Sequence, residues 1–317
     1  GLKRIEGGKL GVLVAIWLSG RLAMLPIFAA APTVTAAVDL LYFPALAAML
    51  APSLIRTRKL RNMPFLVLLA LLFAANLVFH LGRAGIVNGG EMIGLGVTVD
   101  IVLILIVVIG GRIIPPFTRS GLARLGIAVE IAPREWLDIA AVASIVAVLA
   151  GDLIVPQSAW NGVLALLAAI LQAARLAQWQ GYRAFRDPLV WVLHVGYAWL
   201  VIGLALKGLW LLAAVPFAEK WLHALTVGAF ATMILAVMTR ASLGHTGRAL
   251  IAQAPIAGAY LLISLAAAIR VCGPTLAPAN YDAVIMLAAA CWIGAFAIFL
   301  LIYTPILMRP RADGKPG

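Results

Sequence analysis

Ten apolar stretches of about twenty residues each divide this chain, separated by short connections rich in Pro, Gly and basic residues. They run over roughly 10–30, 34–54, 63–82, 91–111, 135–155, 159–177, 188–208, 219–239, 249–270 and 281–307. A helix of ~20 residues is ~30 Å long, the thickness of a bilayer's hydrocarbon core. Composition removes the soluble alternative. Of 317 residues, 64% are hydrophobic and 11% charged, where a soluble domain carries about 45–50% and about 25%. The predicted fold is an all-α, polytopic transmembrane helix bundle of about ten spans. It forms one integral-membrane domain over residues 1–317, because no connection is long enough for a soluble domain. The longest connection lies between Arg112 and Arg134. Pro115 and Pro116 are predicted to end the fourth span, leaving the remainder as an amphipathic interfacial segment.

The formal net charge of +12 does not point to nucleic acid, because the cations are spread among short loops rather than gathered on one arm. Their distribution is informative in another way. Nineteen Lys and Arg fall on the loops of the N-terminal side, from Lys3, Arg4 and Lys9 to Arg309, Arg311 and Lys315. The opposite loops hold four: Arg83, Lys207, Lys220 and Arg270. This asymmetry predicts cytoplasmic N- and C-termini. Cys272 follows one span and Cys291 lies ~15 Å deeper in the next, too far apart for a disulfide. No C-x-x-C spacing exists.

Three charges fall inside spans: Arg21, Asp39 and Asp100. All three sit ~9–13 Å below the same outer surface. A lone charge at that depth is costly, so the three are predicted to face the bundle and pair. Such a group is either a structural clamp or a proton or ligand pathway. The pathway would suit a secondary transporter or exporter with an intramembrane Arg/Asp relay.

The polar end of the eighth span is dense in chemistry. In VMTRASLGHTGR (237–248), Arg240, Ser242, His245, Thr246 and Arg248 crowd between Gly244 and Gly247. HALTVG (223–228) precedes it. With RIIPPFTRS (112–120), RDPLVWVLHVGYAWL (186–200) and YTPILMRPRADGKPG (303–317), this stretch resembles the NnrS family along essentially the whole chain. These are bacterial inner-membrane proteins tied to nitric oxide and nitrosative stress and to denitrification. The resemblance implies haem and copper as cofactors, and nitric oxide or a derived iron-nitrosyl species as a small-molecule partner. Ser120 stands where the family pattern has Asn. The family's two opening spans, with a Trp-His-x-His-Glu motif, have no counterpart here, so the chain is expected to be N-terminally truncated relative to the family.

With haem implied, histidine depth becomes a criterion, since two axial ligands of one iron need a common level. His80 ends the third span and His223 begins the eighth, both at the outer surface. His194 lies about six residues into the seventh span from the cytoplasmic side. The expected metal residues are therefore His80 and His223, joined by histidines outside this chain, with His194 needing a separate partner. Met233 and Met238 suit packing better than copper. A haem–copper oxidase centre is excluded, because it needs an adjacent histidine pair that the chain's four histidines do not supply. From the cytoplasmic loops, Arg112, Arg119, Arg240, Ser242, His245 and Arg248 are expected to bind an anion, such as a haem propionate or a lipid phosphate. No reaction is legible in these residues.

The charge asymmetry makes a direct prediction. A reporter active only in the cytoplasm should work when fused after Lys315 and fail when fused after Ala279. The reverse pattern would overturn the orientation.

Overall fold

The computed structural model describes residues 7–28, 31–56, 63–132 and 134–314. Among these residues there are helices and no strands. The chain is an all-α, multi-pass membrane protein. Its helices are α1 (Gly8–Ala23), α2 (Pro32–Leu40), α3 (Tyr42–Arg56), α4 (Met63–Arg83), α5 (Gly90–Arg124), α6 (Glu135–Ile154), α7 (Ala159–Gln178) and α8 (Pro188–Ala213). They continue with α9 (Trp221–His245), α10 (Ala254–Leu276) and α11 (Tyr281–Met308). Leu41 alone separates α2 from α3. Nine rods among the described residues are long and apolar enough to cross a membrane. The tenth, α1, has 16 residues. Of the cationic residues that set the orientation, Lys3, Arg4, Arg58, Lys59, Arg61 and Lys315 lie outside the described residues.

Local chemistry explains where the helices start and stop. Pro188 opens α8, where a missing N–H costs nothing. Before it, Asp187 caps the helix, its Oδ1 accepting from the Leu189 amide at 3.1 Å. Ser158 caps α7 in the same way, accepting from the Asn161 amide at 3.2 Å. At the other end of α8, Ala214 takes a left-handed conformation with φ 47° and its N–H returns to the Trp210 carbonyl.

One boundary differs from expectation. Pro115 and Pro116 do not end the fourth span, and α5 continues through them to Arg124. Interior prolines cost a helix ~3 kcal/mol or more. Here packing offsets that cost, because Ile114, Thr118 and Leu122, at i, i+4 and i+8, are all 0% exposed. The expected interfacial segment is thus mostly helix, and only a short connection precedes α6.

The contacts divide into two compact units, residues 1–101 and 102–317, with the boundary inside α5. In the second unit α8 is central. Leu189, Val192, Leu193 and Tyr197 are fully buried in its main apolar cluster, with Leu235, Ala236, Tyr260 and Ile263 from α9 and α10. Helices approach closely where side chains are missing. A Cβ on Gly208 would fall 2.5 Å from Leu166 Cγ, and one on Gly162 would fall 2.7 Å from Leu212 Cγ. α9 begins with a π-helical segment, Ala224–Ala231. Its Leu225 packs on Gly203, where a Cβ would come within 2.4 Å of Leu225 Cδ2. Both cysteines are free.

Candidate functional site

The first unit is organised around one carboxylate. Asp39 of α2 is 3% exposed. Arg21 of α1 reaches its Oδ1 with Nη2. From α4, Asn76 Nδ2 donates to Oδ2 at 2.8 Å, and His80 Nε2 lies 3.1 Å from the same oxygen. Asn76 and His80 are four residues apart and so share one helix face. A carboxylate only accepts, so His80 carries its proton on Nε2. Gly20 lets α1 and α2 come this close, since a Cβ there would stand 3.0 Å from Asp39 Oδ1. Thr35 Oγ1 adds a bond to the Ala23 carbonyl at 3.2 Å. Beside this node lies a cavity of about 410 Å³, walled by Trp17, Tyr42, Phe43 and Phe79 and faced by Arg21, Met24, Asp39, Asn76 and Thr98. Asp100 is likewise buried.

In the second unit, three of the motifs quoted above meet at one end of the bundle. Arg124 pairs with Asp187, the residue that caps α8. Gly121 permits this approach, because a Cβ would lie 2.5 Å from Val190 Cγ2. One turn earlier on α5, Thr118 Oγ1 lies 3.3 Å from His194 Nε2 and donates to the Ile114 carbonyl at 2.8 Å. His194 Nδ1 lies 3.1 Å from the Val190 carbonyl. That carbonyl can only accept, so Nδ1 carries the proton. Gly181 lies so close that a Cβ would sit 2.0 Å from His194 Cδ2. Next to Thr118, the Phe117 ring is covered by the Arg240 guanidinium at 3.7 Å. Arg240 is 7% exposed, and its Nη1 has no hydrogen-bond partner among the described residues.

The C-terminal motif joins the same end from the other side. The Ala312 amide donates to the Thr246 carbonyl at 2.9 Å, and Arg311 Nη1 to the His245 carbonyl at 3.0 Å. Asp313 takes both Arg311 Nε and Nη2, at 2.9 and 2.6 Å, and holds that guanidinium above its usual pKa range. Gly247, at φ 70°, accommodates Asp313, whose Cγ would be 2.5 Å from a Cβ. Gly247 of LGHTGR thus forms a seat for the chain after α11.

Two buried cations sit in polar nodes that loop reasoning missed. Arg175 lies in α7 and is 4% exposed. Its Nε donates to Asp138 at 2.6 Å and its Nη1 to the Val107 carbonyl at 2.7 Å and to Tyr197 Oη at 3.3 Å. Tyr197 in turn donates to Gln172, whose Nε2 reaches the Ala141 carbonyl at 2.8 Å. Gly111 leaves the space, since a Cβ would be 1.9 Å from Arg175 Nη2. Lys207 pairs with Asp152, which also accepts from Asn161 at 2.9 Å, and stacks 4.9 Å from the Trp221 ring centre. A polar residue deep in a helix with a carboxylate on the neighbouring helix was the signal available.

The expected metal residues differ in their surroundings. Among the described residues, no three His, Cys, Asp or Glu side chains gather as a metal cage. His80 belongs to the Asp39 node. His194 stands near the start of α8, whereas His223 opens α9, after α8 has ended. His194 Nδ1 is engaged by the Val190 carbonyl, and Thr118 Oγ1 lies 3.3 Å from Nε2. His223 is half-buried with the cations Arg270 and Lys220 in electrostatic reach, which opposes a further positive ion. Arg240 is buried against Phe117, Arg248 Nη1 bonds the Thr246 carbonyl at 3.3 Å, and Arg112, Arg119 and His245 are exposed.

The Asp39 node yields a test by substitution. Arg21→Leu leaves a buried carboxylate without its cation and should reduce the folded yield in detergent. Arg21→Leu with Asp39→Leu should recover part of that loss, because loss of one partner costs more than loss of both. Equal loss in the single and double variants would show that the pair is not coupled.

Comparison with known proteins gives one family. A family model described as NnrS protein matches residues 1–311. No curated protein and no solved structure matches the chain.

Proposed function

The chain belongs to the NnrS family, and on that premise we propose that it is a haem- and copper-associated inner-membrane protein of the bacterial response to nitric oxide and nitrosative stress. The observation that carries this reading is the family match along residues 1–311. Nine apolar helices of membrane-spanning length among the described residues support a bilayer location. Nitric oxide is small and nearly apolar, so a protein in the bilayer meets it where it partitions. The small-molecule partner in this reading is nitric oxide or an iron-nitrosyl species derived from it. Both termini face the cytoplasm, by the excess of cations on their loops.

Within this reading His80 is the best-prepared imidazole. Asp39 fixes its Nε2, as a carboxylate does for a metal-binding histidine, and leaves Nδ1 as the donor atom. His223 and His194 are weaker candidates, for the reasons of charge and hydrogen bonding given above. The buried, unpartnered Nη1 of Arg240 supports an anionic group, such as a propionate, at the junction of the motifs. Metal chemistry itself would come from the bound groups, while this chain's residues orient a ligand and hold charge.

A second reading draws on the Asp39 node itself. A paired Arg and Asp beside a cavity of about 410 Å³ also suits a secondary transporter with an intramembrane relay. The protein purified from its native membrane separates the two. The first reading expects a Soret band that shifts on addition of nitric oxide, with copper present by metal analysis and the band diminished in His80→Ala. Protein free of haem and copper, with proton-coupled solute flux abolished by Asp39→Asn, would overturn it in favour of the second.

A further inference from the structure

Where α9 turns into α10, a groove of about 590 Å³ opens against the last two turns of α11. Its polar end carries Arg248, Gln253 and Arg309, and its apolar wall includes Leu301, Ile302 and Ile306. No Asp or Glu lines it. The nearby acid, Asp313, is already taken by Arg311 through two hydrogen bonds. Arg248 Nη1 donates to the Thr246 carbonyl at 3.3 Å, and Arg309 is exposed. The lining of the groove thus holds two guanidinium groups and no carboxylate. Gln253 is the residue before the first turn of α10, a helix of 23 residues, so the positive end of that helix dipole adds to the same field.

The apolar wall has a direction. Leu301 is 76% exposed and belongs to a span, so its surface faces lipid chains. Arg309 follows the last residue of that span. The groove thus joins a cationic head at the end of a helix to an apolar strip running back along it. The Ala312 amide and the Arg311 guanidinium, which donate to the Thr246 and His245 carbonyls, fix the two loops together.

We propose that this groove is a binding site for one anionic phospholipid. The phosphate sits between Arg248 and Arg309, and an acyl chain lies along Leu301, Ile302 and Ile306. Charge complementarity selects the headgroup, since a zwitterionic lipid would bring an ammonium to a rim that has no acid. The apolar strip selects a lipid over a free anion.

Native mass spectrometry of the full chain in detergent tests this, with phosphatidylglycerol and phosphatidylcholine of the same acyl chains as probes. Phosphatidylglycerol should bind in one tight copy and phosphatidylcholine weakly. Arg309→Gln, a change at an exposed side chain, should weaken phosphatidylglycerol about fivefold, and Arg248→Gln by a similar factor. Arg183→Gln, an exposed cation that does not line the groove, should leave binding unchanged. The proposal is overturned if Arg309→Gln has no effect, if Arg183→Gln weakens binding as much, or if inorganic phosphate at the same concentration displaces the lipid.

Discussion

Arg175 sits inside the second unit with 4% of its surface exposed, where water cannot solvate it. Removing an ion from water costs several kcal/mol even after relaxation. The surrounding helices answer with Asp138, the Val107 carbonyl and Tyr197, and Gln172 then fixes Tyr197. The same requirement recurs at Lys207 with Asp152, and with the signs reversed at the buried Asp39 carboxylate, which pairs with the half-exposed Arg21. In apolar helices that otherwise have no reason to prefer one rotation over another, each pair specifies which faces meet. Glycines complete the arrangement. Gly111, Gly151 and Gly20 each stand where a Cβ would collide with, or crowd, the polar side chain that passes it.

The segments of the chain that resemble the NnrS family are far apart in sequence and close in space. Thr118 of the first motif reaches His194 of the second, and Phe117 of the first lies under Arg240 of the third. The third receives the C-terminal motif through Thr246 and His245. A polar junction of this kind holds the ends of α5, α8, α9 and the segment after α11 in one arrangement. Arg240 is its unresolved charge, stacked on an aromatic face with Nη1 unpartnered, and so the point where an anionic group would be stabilised.

Span positions were legible from hydropathy alone, because a run of twenty apolar residues has few other uses. The continuation of α5 past Pro115 and Pro116 was not, since it depends on burial of Ile114 and Leu122 against other helices. Positive-inside reasoning treated Arg175 and Lys207 as loop charges. Both lie inside helices, and only the neighbouring carboxylates reveal why they are tolerated. Tyr197 is fully buried, because its hydroxyl has polar partners at depth. The pairing of Arg21 with Asp39 was readable from their matching positions along their spans. Asn76 and His80 as the other partners of Asp39 were not, since nothing in the sequence sets which face of α4 turns toward α2.

The account rests on buried cations held by carboxylates of neighbouring helices. A double-mutant cycle on Arg175→Met and Asp138→Leu, read by unfolding of the purified protein, addresses that most directly. The account predicts a coupling energy of about 1–3 kcal/mol, with the double variant more stable than the sum of the single losses. Additive losses would contradict it and place the fold's specificity elsewhere.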